Sequence, residues 1–159
     1  MTPAKLFTVG YEGRTLEGFL AALTAARIEL LADVREAPIS RKRGFSKSAL
    51  ADALRSAGID YVHLRVLGCP KPIRDAHKAD HDWARYTHDF LAHLRQQGPA
   101  LETLAGLALA RPTAVMCFEA DFNRCHRTYV ARAIADRAGA VVAHLVGAGV
   151  VEEDRKQVV

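Results

Sequence analysis

The stretch Ala114-Val115-Met116-Cys117-Phe118-Glu119-Ala120-Asp121-Phe122-Asn123-Arg124-Cys125-His126-Arg127 decides the fold. Its first five residues are apolar and read as a short buried strand. A polar turn follows. Cys125, His126 and Arg127 then open a helix whose apolar positions include Val130, Ala133 and Ile134. The junction gathers chemistry as well. Two thiols, the Glu119 carboxylate, an imidazole and two guanidiniums fall within eleven residues, Cys117 to Arg127. A helix start also offers free backbone N–H groups and partial positive charge to whatever lies above the strand end.

The same alternation recurs on either side. Lys5 to Gly10 reads as a first strand, and Thr15 caps a helix carrying Leu16, Phe19, Leu20 and Leu23. Leu30 to Val34 reads as a second strand, followed by a long polar loop from Arg35 to Phe45. Ser46 is placed to cap a helix with Leu50 and Leu54 that stops at Gly58, and Ile59 to Leu64 reads as a third strand. Residues 65–81 read as irregular, broken by Gly68, Pro70 and Pro72, with the length of a functional lid or flap. A helix is predicted over Trp83 to Gln97, interrupted by Gly98-Pro99, and another over Ala100 to Ala110. The opening stretch supplies the fourth strand and the helix ending near Gly139; Ala140 to Leu145 supplies a fifth strand.

Such alternation implies a single domain over residues 1–159, with 147–159 unassigned. The expected architecture is a three-layer α/β/α sandwich around a mostly parallel sheet of about five strands, in the order 3-2-1-4-5. Strand order then reverses between the first and fourth strands, and ligands bind beyond the carboxyl ends at such a reversal. Gly10-Tyr11-Glu12, Asp33 to Arg35 and Cys117 to Glu119 would converge there.

The chain has 159 residues, 22 basic and 18 acidic, for a net charge of +4. Half of it is hydrophobic, as in a globular protein, and no apolar run reaches the roughly 18 residues of a membrane span. The start, Met1 to Lys5, lacks the apolar core of a signal peptide, so a cytoplasmic location is expected. Three cysteines imply no disulfide framework. The mild basicity permits an anionic partner, a small molecule or a nucleic acid, without requiring one. Basic residues cluster at Arg35, Arg41, Lys42, Arg43 and Lys47, and again at Arg124, Arg127 and Arg132.

Several groups compete for functional roles. Cys125, with Asn123 or Asp121 as cap, is either a thiolate favoured by the helix start and its arginines or a small packing residue. Cys117 reads as core, with a disulfide to Cys125 conceivable. His126 can act as a general base, and Glu12 and Glu119 as acid and base. Asp33 and Arg35 share a strand face, so they either pair or jointly meet a ligand. Cys117, Cys125 and His126 are metal-ligand types, but the chain has no Cys-x-x-Cys and no His-x-x-x-His, so no metal or cofactor is assigned. Gly10-x-x-Gly13 is neither a P-loop nor a dinucleotide fingerprint. A phosphatase loop fails too, because Asn123 stands six residues after Cys117 and Arg124 comes one later. The candidates are therefore Glu119, Cys125, His126 and Asp33 for catalysis, and Tyr11, Glu12, Arg35, Ser40, Arg41, Cys117 and Arg127 for substrate.

The sequence resembles the bacterial and archaeal domain-of-unknown-function family numbered 488. The matching pieces are Phe7 to Thr15, Asp33-Val34-Arg35-x-x-Pro38-x-Ser40-Arg41, Gly58-Ile59-x-Tyr61, Leu67-Gly68, Cys117-x-Glu119 and Cys125-His126-Arg127. Cys69 departs from the pattern, which has a second glycine after Leu67-Gly68. The resemblance implies an α/β sandwich and a polar cluster at Asp33, Arg35, Cys117, Glu119, Cys125, His126 and Arg127, but no reaction.

The expected function is an enzyme, a hydrolase or transferase, acting on a nucleic acid, nucleotide or other phosphorylated compound. Two alternatives stand beside it. One is a non-catalytic nucleic-acid-binding module using Arg41-Lys42-Arg43 with Phe45 to stack a base. The other is a thiol redox or structural protein that pairs Cys117 with Cys125.

Overall fold

The strand of the opening stretch lies at the centre of the sheet. The computed structural model of the chain describes residues 4–154. Six strands, β1 (Lys5–Gly10), β2 (Leu30–Asp33), β3 (Asp60–His63), β4 (Thr113–Cys117), β5 (Val141–Val146) and β6 (Gly149–Glu152), form one sheet in the order β3-β2-β4-β1-β5-β6. All neighbours run parallel except β5 and β6. The architecture is the expected one, but the expected order 3-2-1-4-5 is corrected: β4 is wedged between β2 and β1. The reason is burial. All five β4 residues are buried, and a strand covered on both faces and paired on both edges suits a continuous apolar run. Strand β1, by contrast, starts at exposed Lys5 and carries Thr8, whose hydroxyl is satisfied by His144 Nδ1 at 2.6 Å.

Two helices, α1 (Leu16–Ala25) and α2 (Lys47–Ser56), cover one face, setting Phe19, Leu23, Leu50 and Leu54 against Val9, Leu31 and Met116. The other face is covered by α4 (Trp83–Arg95), α5 (Gly98–Ala110) and α6 (His126–Ala138), which pack Phe90, Leu104 and Ile134 on Leu6, Ala32 and Val115. Thr15 caps α1 as expected, accepting from Gly18 N–H at 3.0 Å. Ser46 precedes α2, but its hydroxyl bonds the Ser40 backbone rather than the helix. Among the described residues, no helix is long and apolar enough to cross a membrane.

Residues 65–81 are not irregular. Arg65–Leu67 is a 3-10 turn and Lys71–Asp80 is a helix, α3. Pro70 and Pro72 flank its first residue, where the missing N–H groups have no helical partner to lose. Helix α3 packs Ile73 on the core but buries no residue fully, and the two prolines at its start read as breaks. In the same way Gly98-Pro99 begins α5 instead of only breaking a helix. In the unassigned tail, β6 returns along β5, and Glu153 bonds Arg132 and His144; residues 155–159 lie outside the described residues.

The chain runs from β1 through α1 and α2 on one face, and from β4 through α6 to β5 on the other. The carboxyl ends of β1, β4 and β2 therefore lie side by side. The β1–β4 pairing continues past the strand ends: Tyr11 N–H donates to the Cys117 carbonyl at 3.3 Å and Glu12 N–H to the Phe118 carbonyl at 2.8 Å. This closeness needs Gly10, since a Cβ there would strike the Glu119 carbonyl.

Two outcomes are expected. Gly10→Ala should lower stability by about 1–3 kcal/mol through overpacking, whereas Gly106→Ala, in open space on α5, should be neutral or gain up to about 1 kcal/mol; urea unfolding checks both. Acid should also loosen the β5–β6 end. Burial holds the His144 imidazole below its ordinary 6.5, outweighing the Glu153 carboxylate. Burial would raise Glu153, but Arg132 and His144 overcome that and lower it below 4.5. Both groups bind protons more readily when unfolded, so their contribution is complete above pH 6.5 and falls as pH drops. Protection of the β5–β6 backbone amides from hydrogen exchange should fall on acidification from neutrality, and His144→Phe should remove the first part of that fall.

Candidate functional site

Two clusters of polar side chains meet at the carboxyl edge, one on each face of the sheet. On the α1–α2 face, Asp33 ends β2 and is fully buried. Arg35 shares its face and closes on it bidentately, Nε to Oδ1 at 2.9 Å and Nη2 to Oδ2 at 2.8 Å. Tyr61 donates its hydroxyl to Asp33 Oδ2 at 2.6 Å. The remaining Arg35 fork bonds the Phe45 carbonyl at 2.7 Å and the Tyr11 hydroxyl at 3.2 Å. Burial opposes the charge on Arg35, but the bonds and charge of Asp33 outweigh it and raise its pKa. Burial, then Asp33, likewise raise the Tyr61 phenol. This pair ties the long loop to the sheet and leaves Asp33 saturated with donors.

On the α6 face lie the thiols. Cys117 ends β4, and Cys125 is itself the residue before α6, with no side-chain cap bond. The sequence offered Asn123 or Asp121 as that cap; Asp121 instead caps the 3-10 turn Phe122–Arg124. His126 is held edge-on to Phe90 with ring centroids 5.2 Å apart, and its Nε2 donates to the Val34 carbonyl at 2.7 Å. That bond fixes the tautomer. Nδ1 is left facing Cys117 Sγ at 3.7 Å, and Glu119 Oε2 lies 3.7 Å from the same sulfur. All three cysteines are free.

Charge in this cluster is shared. Burial would raise the Cys125 thiol, but bonds from Cys117 and His126, and the charges of His126 and Arg127, hold it well below its ordinary value. Its bond to Cys125, then burial, raise Cys117. Burial opposes a proton on His126, yet Cys125, the Val34 carbonyl and Glu119 raise it. Burial and the Cys125 charge push Glu119 up to about 7. Burial pushes Cys69 up to about 11.

A cavity of about 880 Å³ opens over the thiol cluster, with Cys117, Glu119 and His126 in its wall. Five basic residues line it, Arg35, Arg41, Arg74, Lys78 and Arg124, against two acidic ones, Glu36 and Glu119. Arg35 and Arg74 are paired with Asp33 and Glu36, so the cations facing the space are Arg41, Lys78 and Arg124. Trp83 stacks on Tyr86 at 4.5 Å, and the Arg124 guanidinium lies 5.6 Å from the Trp83 ring centroid.

Of the expected residues, Tyr11, Arg35, Ser40, Arg41, Cys117, Glu119 and His126 line the cavity. Cys125 sits beside them and completes the Cys117–Cys125–His126 group. Asp33 acts through Arg35. Glu12 is exposed and ties down the Glu119–Ala120 turn, accepting from Ala120 N–H at 2.9 Å. Arg127 does not reach the cavity; it is fully buried and donates Nη1 to the Glu119 carbonyl. Phe45, expected to stack a base, is fully buried against Tyr11, with ring centroids 4.5 Å apart. Arg124, expected among the basic residues near Cys125, lines the cavity, whereas Trp83, Tyr86 and Lys78 were not expected. Lys78 lies on α3, within the segment read as irregular, and Trp83 and Tyr86 open α4 just after it; the single tryptophan of the chain was the available signal.

A mostly parallel α/β/α sandwich with thiols, imidazole and carboxylate at one carboxyl edge is the class that fold and site define. Residues 15–134 match the domain of unknown function DUF488, and the chain belongs to that family. The matched span takes in Asp33, Arg35, Cys117, Glu119 and Cys125 to Arg127, and begins after Tyr11 and Glu12. No curated protein matches the chain.

Asp33→Ala would strand the Arg35 guanidinium, only 6% exposed, without its counter-charge. The expected loss is about 3–5 kcal/mol of stability, read by chemical denaturation. Tyr61→Phe removes one of several donors to Asp33 and should cost about 1 kcal/mol.

Proposed function

We propose that this protein is an enzyme acting on an anionic substrate that carries a flat ring, a nucleotide or a base of a nucleic acid. One observation carries the reading: a single cavity joins an aromatic and cationic wall to a floor of thiol, imidazole and carboxylate. Arg41, Lys78 and Arg124 hold the phosphate, whose charge they oppose at the rim. Trp83, half-buried and stacked on Tyr86, meets the ring at the cavity wall, where the Arg124 guanidinium over it moves aside to the phosphate. Glu119, whose carboxylate borders the cavity, moves the proton, and His126 and the two cysteines act on the group that enters. Asp33 and Arg35 hold the loop that carries Ser40 and Arg41.

The alternative of a passive nucleic-acid module loses its stacking residue, because Phe45 is buried. The basic loop remains, but the cavity beside it is deeper than a backbone-tracking surface needs.

Trp83 is the only tryptophan, so its fluorescence reports occupancy directly. Nucleoside monophosphates should quench it saturably, with an affinity that falls as salt rises. Arg124→Ala should weaken binding by about tenfold or more, as expected for a charged contact. Glu119→Gln should keep binding and lose turnover in a screen of nucleotides, oligonucleotides and phosphorylated metabolites. No quenching by any of these, at low salt, would sink the reading.

A further inference from the structure

We propose that Cys117, Cys125 and His126 hold a divalent metal ion of the zinc class through Cys117 Sγ, Cys125 Sγ and His126 Nδ1, with a fourth position open to the cavity beside Glu119. These three donor atoms lie within 4.8 Å of one another. A tetrahedral ion with bonds of about 2.3 Å to sulfur and about 2.0–2.1 Å to nitrogen sets such donors roughly 3.5–3.8 Å apart. Cys117 Sγ and His126 Nδ1 are already 3.7 Å apart. The cage is therefore close to the size an ion requires.

The surroundings fit the same role. A ligating histidine commonly gives its other nitrogen to a carbonyl or carboxylate, which fixes the ring and strengthens the donor. His126 gives Nε2 to the Val34 carbonyl at 2.7 Å, so Nδ1 is the nitrogen turned to the sulfurs and ligates once its proton has left. Two thiolates and an imidazole select zinc-like ions over magnesium or calcium. Three protein ligands with one open position are the pattern of catalytic rather than structural sites. Cys117 and His126 border the cavity, so the open position faces incoming substrate, and Glu119 stands where it can take a proton from water bound there.

Arg127 limits the charge that the site can carry. It is fully buried, its Nε and Nη2 have no hydrogen-bond partner, and its Nη1 meets only a backbone carbonyl. A buried guanidinium with no carboxylate of its own needs negative charge nearby. A bare dication beside it would add to that unpaired charge, whereas an ion held by two thiolates is neutral, so a two-sulfur ligand set suits this position. On binding, the protons still held by Cys117 and by His126 Nδ1 pass to solvent as the sulfur–metal and nitrogen–metal bonds form.

The inference deepens the reading above, since it gives the proposed enzyme its activated water, but its test does not depend on that reading. Chelator-treated full-length protein is titrated with cobalt(II) alone. The expected result is one equivalent bound, with a near-ultraviolet thiolate-to-cobalt band that zinc abolishes. Cys117→Ser, Cys125→Ser and His126→Asn should each weaken binding at least about tenfold, and Cys69→Ser should leave it unchanged. A second measurement uses only the wild-type chain: zinc should shield Cys117 and Cys125, but not Cys69, from alkylation, located by peptide mass. Absence of the band and of the shielding overturns the proposal, as does a band that survives Cys125→Ser in folded protein. Quenching of Trp83 by nucleotide in metal-free protein is scored separately, so either idea can fail while the other stands.

Discussion

The wedge of β4 between β1 and β2 is the constraint on which the rest depends. Its backbone is paired on both edges, and the pairing does not stop where the strands do. Val34 N–H reaches the Met116 carbonyl at 3.1 Å, and Tyr11 and Glu12 bond the carbonyls after Met116. The ends of β1 and β2 are thus each locked by hydrogen bonds to the end of β4, at one level. Tyr11, Asp33, Arg35, Cys117, Glu119, Cys125 and His126 hang from these segments or from the start of α6, and the cations of the cavity wall, Arg41, Lys78 and Arg124, come from the elements around them. The glycines that permit it are few. Gly10 lets β1 pass under the Glu119 turn, and Gly68 lets the 3-10 turn press on the backbone of Glu36, where a Cβ would collide. The Leu67-Gly68 pair in the family pattern therefore has a steric meaning.

Buried charge is handled differently on the two faces. Asp33 and Arg35 satisfy each other with two parallel bonds, and Tyr61, Tyr11 and the Phe45 carbonyl take up the remainder. A pair so complete has little capacity left for a ligand, and its effect is to hold the loop of Ser40 and Arg41 at the cavity rim. On the opposite face nothing is complete. Cys117, Cys125, His126 and Glu119 compete for protons, and Arg127 has no counter-charge. Partly satisfied networks in a low-dielectric interior are high in energy, and such groups collect where chemistry is done.

Much of this was legible in the residues. The apolar runs marked five strands, the Thr15 cap marked α1, and the shared face of Asp33 and Arg35 follows from strand alternation. What escaped was whatever carried a misleading local signal. Helix α3 buries no residue fully, so its prolines looked like breaks when they are a beginning. Phe45 beside a basic tripeptide looked like a stacking residue, and only packing against Tyr11 and Phe19 removes it from the surface. Spacing also misjudged the thiols. Cys117 and Cys125 are eight residues apart and match no ligand pattern, yet a turn between strand and helix folds them onto one point.

The sequence by itself determined the class of fold, the edge of the sheet where polar groups gather, and the residue types available there. These depend on local alternation, which the backbone enforces residue by residue. Only the tertiary structure decided the order of the strands, the Trp83–Arg124 wall and the meeting of Cys117, Cys125 and His126. Those depend on which faces find each other, and the physical reason is that burial is non-directional: an apolar run says that it must be covered, and the packing of the whole chain says by what.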